Sequence, residues 1–393
     1  MDLLKGVKVL DLTRVLSGPY CTMILGDLGA EIIKIERPEN GDDSRHFGPF
    51  YKGESAYFKS INRNKKSITV DLKTDNGKEI IKNLIKKTDV IVENFRPGAM
   101  DRLGLSCDEV SKINPHIIYG SVSGFGHSGP YSEKPAYDAV VQAMGGIMSI
   151  TGQKDGEPTR VGSSIGDITA GLYCAIGILS ALYNREKTGE GNRVDISMLD
   201  CQLSLLENAV ARYSLTGQSP EPIGNRHSSI VPFETLKTKD STIMIAVGND
   251  RLWEKFTSLI NNEKLKKEKF ETNDLRNKNY EEVKNILVPI FKEKTTDEWV
   301  GILDKKDIPN SPINKIEDVV KNQQILARNM INKEKLDDEK ELYVVNSPLK
   351  FGKGKDFEYS KAPELGEDTD EVMLKEIGLT KEEIKELKEK NII

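Results

Sequence analysis

Short apolar runs recur along the first third of the chain at a spacing that predicts strands separated by helices. "VKVLDL" (7–12), "EIIKIE" (31–36), "SITVDL" (67–72), "DVIVENF" (89–95) and "PHIIYGSVSGFG" (115–126) are rich in Ile and Val, as buried strands are. Between them, 19–28 and 75–87 carry helical patterns. The alternation predicts a doubly wound α/β domain, a mainly parallel sheet with helices on both faces. The stretch from Ile168 to Tyr183 is apolar almost all the way round, which predicts a helix buried on most of its faces. Thr, Gly, Ser and Tyr interrupt it and it falls short of the roughly 20 residues of a membrane span, so no membrane association is expected.

The pattern then changes. "NRVDISMLDCQLSLLENAVARYSLTG" reads as a strand and one long helix, "STIMIAV" as a strand, and "NDRLWEKF" as a helix capped by Asn249. From about 262 to 340 short helices rich in Lys, Glu and Asn predict a smaller α+β domain. The tail carries two helical patterns, the second with Thr380 as N-cap and Glu383 in the reciprocal position; it is expected to pack back on the first domain. The organisation is therefore a large domain beginning over 1–215, a small α+β domain over 225–335, and a segment over 336–393 returning to the large domain. A length of 393 residues fits such a division.

A net charge of −5 without a clustered basic excess argues against a nucleic-acid binder. Cys21, Cys107, Cys174 and Cys201 are far apart and share no metal-ligand spacing with the four histidines. No metal site is expected, Cys21 and Cys174 read as packing residues, and a reduced, cytoplasmic protein is the simple reading. "MDLLKGVKVLDL" lacks the basic start and apolar core of a signal peptide.

Ligands of doubly wound sheets gather at the carboxyl ends of the strands, which here read "DLTRVLSGP", "IERPENGDDSR", "VDLK" and "ENFRPG". A nicotinamide site is suggested by the first strand-turn-helix and by Glu36 at the end of the second strand. Only Gly18 stands in that turn, however, and G-x-G-x-x-G is missing. Arg37, Lys73, Arg96 and Arg102 fall at or just past strand ends. They are either solvated surface charges or a convergent set for a multiply phosphorylated ligand.

Asp167 stands at the entrance of the apolar helix, behind a glycine. It is either the cap of a helix beginning at Ile168, although Ala170 stands where a capping box places Glu or Gln, or a nucleophile. A carboxylate held ionised beside helix amides in a dry site can attack an activated acyl carbon. Tyr137 and Asp138 open a helix after the Gly/Pro-rich loop 124–136; they border the same site or serve only as cap and packing. His127 and His227 lie in loops, where a lone histidine is usually just exposed.

The ordered set "LKGVKVLDLTRVLSGPYCTMILGDLGAEIIKIERPENGDDSR", "NRNKKSITVDLK", "DVIVENFRPGAMDRLGL", "GSVSGFGHSGPYSEKPAYD", "GDITAG", "EKTGEGNRVDISMLD", "VGNDRLW" and "APELGEDTDEV" resembles the family III CoA-transferases, the group of formyl-CoA transferase, carnitine CoA-transferase and the bile-acid-inducible enzymes. The resemblance runs nearly end to end. It implies two chains interlocked as rings in a homodimer, acyl-CoA and a small carboxylic acid as substrates, and no tightly bound cofactor. It puts the nucleophilic aspartate on Asp167. It puts CoA contacts on Leu16 and Ser17, Arg37, the run Val70, Asp71, Leu72 and Lys73, Asn94, Phe95 and Arg96, Arg102, and the segment with Lys134, Ala136, Tyr137 and Asp138. The chain departs from the family at Pro135, where the best-studied members carry lysine and Lys134 stands adjacent. It departs again in "GNRHSSIVPF", which replaces a glycine-rich loop, and at Asp368, where histidine is frequent. The implied reaction moves CoA through an aspartyl anhydride and an aspartyl-CoA thioester. The alternatives are an α-methylacyl-CoA racemase, whose Gly-His-Asp reads Ala136-Tyr137-Asp138 here, and a non-catalytic CoA-binding protein.

Overall fold

Alternation within the strands decides the layers of the larger unit. Along β1 (Lys8–Asp11), Val9 enters one core and Leu10 the other; Ile32 and Ile33 do the same in β2 (Glu31–Glu36). Successive side chains of a strand face opposite sides, so a sheet apolar at every position must be covered twice. In the computed structural model, which describes residues 2–352 and 359–393, β1 and β2 join β3 (Lys65–Thr69), β4 (Val90–Glu93), β5 (Ile118–Ser123) and β6 (Asn192–Ser197). All pairings are parallel, in the order β3-β2-β1-β4-β5-β6, with Val9 opposite Ile32 on one side and Val90 on the other. The strand order reverses between β1 and β4, and the crevice beyond the carboxyl ends there is where such sheets bind ligands.

One face is covered by α1 (Ser17–Asp27) and α4 (Ile165–Thr188) through Cys21, Leu25, Ala170, Cys174 and Ile178. The other is covered by α2 (Asp75–Ile85) and by the tail, through Ile80, Ile81, Leu84, Val372, Met373 and Ile384. The tail thus returns as expected. Asp368 bridges to the edge strand, its carboxylate accepting from the Ser67 amide at 2.8 Å, and Thr380 and Glu383 form the anticipated capping box on α10 (Lys381–Glu389).

The chain divides into this unit (Met1–Met148, Arg160–Ser219 and Ala327–Ile393) and a second (Ser149–Thr159 with Pro220–Leu326). Relative to the boundaries at 215, 225 and 335, the segment 149–159 belongs to the second unit and 327–335 to the first. The second unit has an antiparallel sheet of β7 (Phe233–Lys237), β8 (Thr242–Ala246) and β9 (Asn310–Pro312). Its helices include α7 (Asp250–Ile260), capped by Asn249 as predicted, α8 (Tyr280–Phe291) and α9 (Thr296–Asp304). Its core mixes aliphatic and aromatic side chains, with Phe291 stacked on Trp299 at 4.4 Å between ring centres.

Three expectations change. The long helix after β6 is two, α5 (Met198–Ser204) and α6 (Glu207–Thr216), because the backbone leaves helical geometry at Leu206. The apolar helix α4 has 24 residues, long and apolar enough by length and composition to cross a membrane. One face packs on the sheet and on α1, while Leu172, Tyr173, Ile176 and Tyr183 are exposed, so it is not buried on most faces. Finally, α4 starts at Ile165 with Ser164 as its N-cap.

Under the carboxyl ends of β1 to β3 lies a buried ionic network. Lys34 donates to the Thr13 carbonyl at 2.8 Å and pairs with Asp42 at 2.8 Å. Lys65 reaches Asp11 at 3.0 Å and Asn62 at 2.9 Å. Burial alone would lower the Lys34 ammonium, but Asp42, Asp11 and Glu36 outweigh it and push it up to about 12. Burial acts against the Asp42 carboxylate too, yet Lys34 and the amides of Val15 and Ser44 hold it well below the usual range. Lys34→Met leaves a buried carboxylate without its cation and is expected to cost about 3–5 kcal/mol in urea unfolding at pH 7. The depressed Asp42 stabilises the wild type above its unfolded pKa of about 3.9 and loses that contribution as pH falls toward its folded value. The gap between wild type and variant should therefore narrow in acid.

Candidate active site

The loop between β1 and α1 carries the site. Val15 sits there at φ +66, a region a β-branched residue rarely enters. Asp42 holds it, its carboxylate accepting from the Val15 amide at 3.0 Å. Asn94, just past β4, clasps the preceding residue from both sides. Its carbonyl oxygen accepts from the Arg14 amide at 2.9 Å and its amide donates to the Arg14 carbonyl at 2.8 Å, with a further 3.2 Å contact to the Ser17 hydroxyl. Ser17 in turn hydrogen-bonds Asp167.

Asp167 lies in the first turn of α4, three residues inside it; with Ser164 at the N-cap position, the reading of Asp167 as the cap is overturned. Its carboxylate lines two cavities. A narrow one of about 140 Å³ follows the switch point, with Leu16, Ser17, Asn94, Phe95, Arg96, Lys134, Ala136 and Tyr137 in its wall. A wide one of about 690 Å³ is lined by Val15, Asp43, His46, Phe47, Tyr57, Tyr137, Asp138, Ala139, Arg160, Ser164 and Asp167. Nine of the residues singled out in the sequence thus meet in the first cavity, counting Asp167.

Asp138, the first residue of α3 (Asp138–Met144), lines the wide cavity with Asp167 but not the narrow one. It is buried, and its two oxygens accept from the Gly166 amide at 2.8 Å and the Gln142 side chain at 2.7 Å. It fixes the first turn of α4 from behind and occupies the Gly166 amide. Arg37 is exposed and paired with Asp43 at 2.6 Å. Arg37, Arg102 and the run from Val70 to Lys73 line neither cavity; the Val70 side chain is packed in the core and Lys73 is exposed. Lys134 stacks on the Tyr131 ring at 3.8 Å. His127 lines neither cavity and faces Glu93 at 3.7 Å, and His227 stacks on Phe233 in the second unit. Among the described residues no group of acids, histidines and cysteines could hold a metal ion.

The electrostatics correct another expectation. Asp167 is not held fully ionised by the helix end: burial, then the charge of Asp138, raise it to about 7, with the Ser17 hydroxyl opposing. Burial and the same Asp167 charge push the Tyr57 phenol up to about 12, so Tyr57 stays a hydroxyl donor in the wide cavity. Asp43 is neutralised by Arg14 at 2.8 Å and Arg37 at 2.6 Å. Sequence reasoning missed Val15, Tyr57 and Arg160 as lining residues. Asp43 lay within a quoted strand-end run, but nothing in its spacing marked it.

A switch-point crevice lined by mixed apolar, polar and basic residues, with a carboxylate of raised pKa among them, defines an α/β enzyme acting on a small-molecule ligand. The model of CoA-transferase family III matches residues 4–369. The chain is 40% identical to succinyl-CoA:glutarate CoA-transferase of Mus musculus over 96% of its own length and 87% of the relative's. It is 43% identical to acetyl-CoA:oxalate CoA-transferase of Acetobacter aceti, over 84% and 85%. The crystal structure of a CaiB/BaiF family protein from Brucella suis superposes with a TM-score of 0.84 at 38% identity, covering 95% of this chain and 99% of that one. The chain belongs to CoA-transferase family III and is an enzyme of that class, whose substrates are CoA thioesters.

Replacing Asp138 by Asn removes the nearest negative charge and one of the two bonds behind the turn. Asp167 should then titrate closer to an ordinary carboxylate. The acid limb of the pH–rate profile is expected to move to lower pH, while the maximal rate falls as the turn loosens.

Proposed function

We propose that the protein moves CoA from an acyl-CoA donor to a free carboxylic acid, with Asp167 as nucleophile and temporary acyl carrier. The observation that carries this is the position of Asp167 where the narrow and wide cavities share a wall. The CoA arm enters along the narrow cavity, past Leu16, Ser17, Phe95 and Ala136, with Arg96 and Lys134 toward its phosphates and Lys134 standing in for the lysine displaced by Pro135. Arg37 and Lys73, past the ends of β2 and β3, and Arg102, in the short helix Ala99–Leu103, contact the outer nucleotide. The acyl group and the acceptor acid occupy the wide cavity.

The Asp167 carboxylate attacks the donor thioester carbonyl; the C–S bond breaks, giving a mixed anhydride and the CoA thiolate. The thiolate attacks the aspartyl carbonyl, the donor acid leaves as a carboxylate, and an aspartyl-CoA thioester remains. The acceptor carboxylate attacks that thioester and releases thiolate again, forming a second anhydride. Attack of the thiolate on the acceptor's acyl carbon makes the new thioester and restores Asp167. No proton or electron is gained or lost overall. A carboxylate titrating near 7 is more basic than an ordinary one and so a better nucleophile, while exclusion of water keeps the anhydrides from hydrolysis. Tyr57 and Ser17 are the hydroxyl donors for the developing oxyanions.

The enzyme works as a homodimer in the cytoplasm with no resident cofactor. Exposed Leu172, Tyr173, Ile176 and Tyr183 on α4, with Tyr213 and Leu215 on α6, form the kind of apolar surface that a second chain covers.

Incubation with acetyl-, butyryl- or succinyl-CoA, then borohydride and peptide mass analysis, should convert Asp167 to its reduced homoserine form. Asp167→Asn should lose transfer entirely. Because ionising a carboxylate of raised pKa destabilises the folded state as pH rises through about 4 to about 7, that variant should melt higher than wild type at pH 8 and equally at pH 4. Unmodified Asp167 together with exchange of donor α-protons into deuterated water would favour a racemase instead.

A further inference from the structure

The wide cavity holds a charge that the transfer chemistry does not use. Of the carboxylates lining it, Asp43 is neutralised by two arginines, and Asp138 is held by an amide and a glutamine. Its lining also includes His46, whose Nε2 is engaged with the Asn40 carbonyl at 2.9 Å, and the guanidinium of Arg160. Arg160 makes one long hydrogen bond, 3.3 Å from Nη1 to the Val161 carbonyl, and has no carboxylate within ion-pairing distance among the described residues. A guanidinium with an open fork is therefore presented to the same cavity as Asp167. A monocarboxylic acid would need no such group, since its one carboxylate is the reacting end and must meet Asp167. A second carboxylate on the same substrate would enter a cavity rich in acids and needs a cation at a distance from the nucleophile.

Resting on the transferase reading above, we propose that the acid handled by this enzyme is a small dicarboxylate, and that Arg160 is its specificity-determining residue. The distal carboxylate accepts two parallel hydrogen bonds from the Arg160 fork, while the proximal carboxylate, or its thioester, faces Asp167. Succinate, glutarate and oxalate, in the names of the relatives described above, have this form, whereas acetate, in the same names, does not; the assignment to Arg160 comes from the cavity.

The test measures kcat/KM of the purified full chain for succinate and glutarate against butyrate and valerate, the chain-matched monocarboxylates, with one acyl-CoA donor. Wild type should prefer the dicarboxylates. In Arg160→Gln the dicarboxylate-to-monocarboxylate ratio should fall by roughly 10–100-fold, the scale of a lost charge-assisted hydrogen-bond pair, mainly through KM. Arg160→Lys should recover part of it. The borohydride-trapped Asp167 adduct is scored in each variant as evidence that the nucleophile still works. A wild type without preference, or a ratio unchanged in Arg160→Gln while Asp167 is still trapped, overturns the assignment and leaves the transferase reading standing. Transfer to no acid, with no trapped Asp167, removes that reading and this assignment with it.

Discussion

The Lys34 ammonium, with no exposure to solvent, is the interaction on which the site depends. It holds the Thr13 carbonyl and the Asp42 carboxylate, and Asp42 holds the Val15 amide. Those contacts fix the loop that turns from β1 into α1 and keep Val15 at a backbone angle it would not choose. Everything downstream inherits that position, including the Ser17 hydroxyl on Asp167 and the wall shared by both cavities. A cation with few alternatives inside a low-dielectric core sets a loop more sharply than apolar contacts, which tolerate small slides. The loop therefore owes its shape to charges contributed by β2 and by the turn after it rather than to its own sequence.

The reacting end has the opposite electrostatic character. Around Lys34 the charges are paired; Asp167 has a second acid near it and no cation beside it. The fold tolerates this because the Gly166 amide and the Gln142 side chain hydrogen-bond the Asp138 carboxylate, which keeps its charge and acts on Asp167 through its field. Stability given up at one carboxylate becomes basicity available for attack, a trade common at catalytic sites.

Much of this was legible in the chain. The parallel sheet followed from the Ile/Val runs, and Arg96, Tyr137 and Asp167 were found because strand ends and helix entrances are places where ligands meet backbone. The rest depended on contacts between distant segments. Asp138 reads as a site residue and lines the wide cavity, while its bond to Gly166 is a relation across 28 positions that no local pattern carries. The start of α4 was placed too late because Gly162, Ser163 and Ser164 resemble loop, and with it Asp167 was mistaken for a possible cap. Tyr57 and Arg160 left no signature, since a lining residue of a cavity has no required spacing from its neighbours. Exposure along α4 was equally hidden, because an apolar stripe reads the same whether protein core or another surface covers it.

The return of the tail has a consequence for how the molecule is made. The edge strand β3 is bonded to residues some 300 positions later, Ser67 to Asp368 and Thr69 to Thr369, and one face of the sheet is closed by Val372, Met373 and Ile384. During synthesis the part of that face left open by α2 stays uncovered through the whole of the second unit, whose own segments are finished by Leu326. The smaller body can thus fold first on the ribosome while the larger waits with part of one apolar sheet face exposed, the condition in which nascent chains most need chaperones.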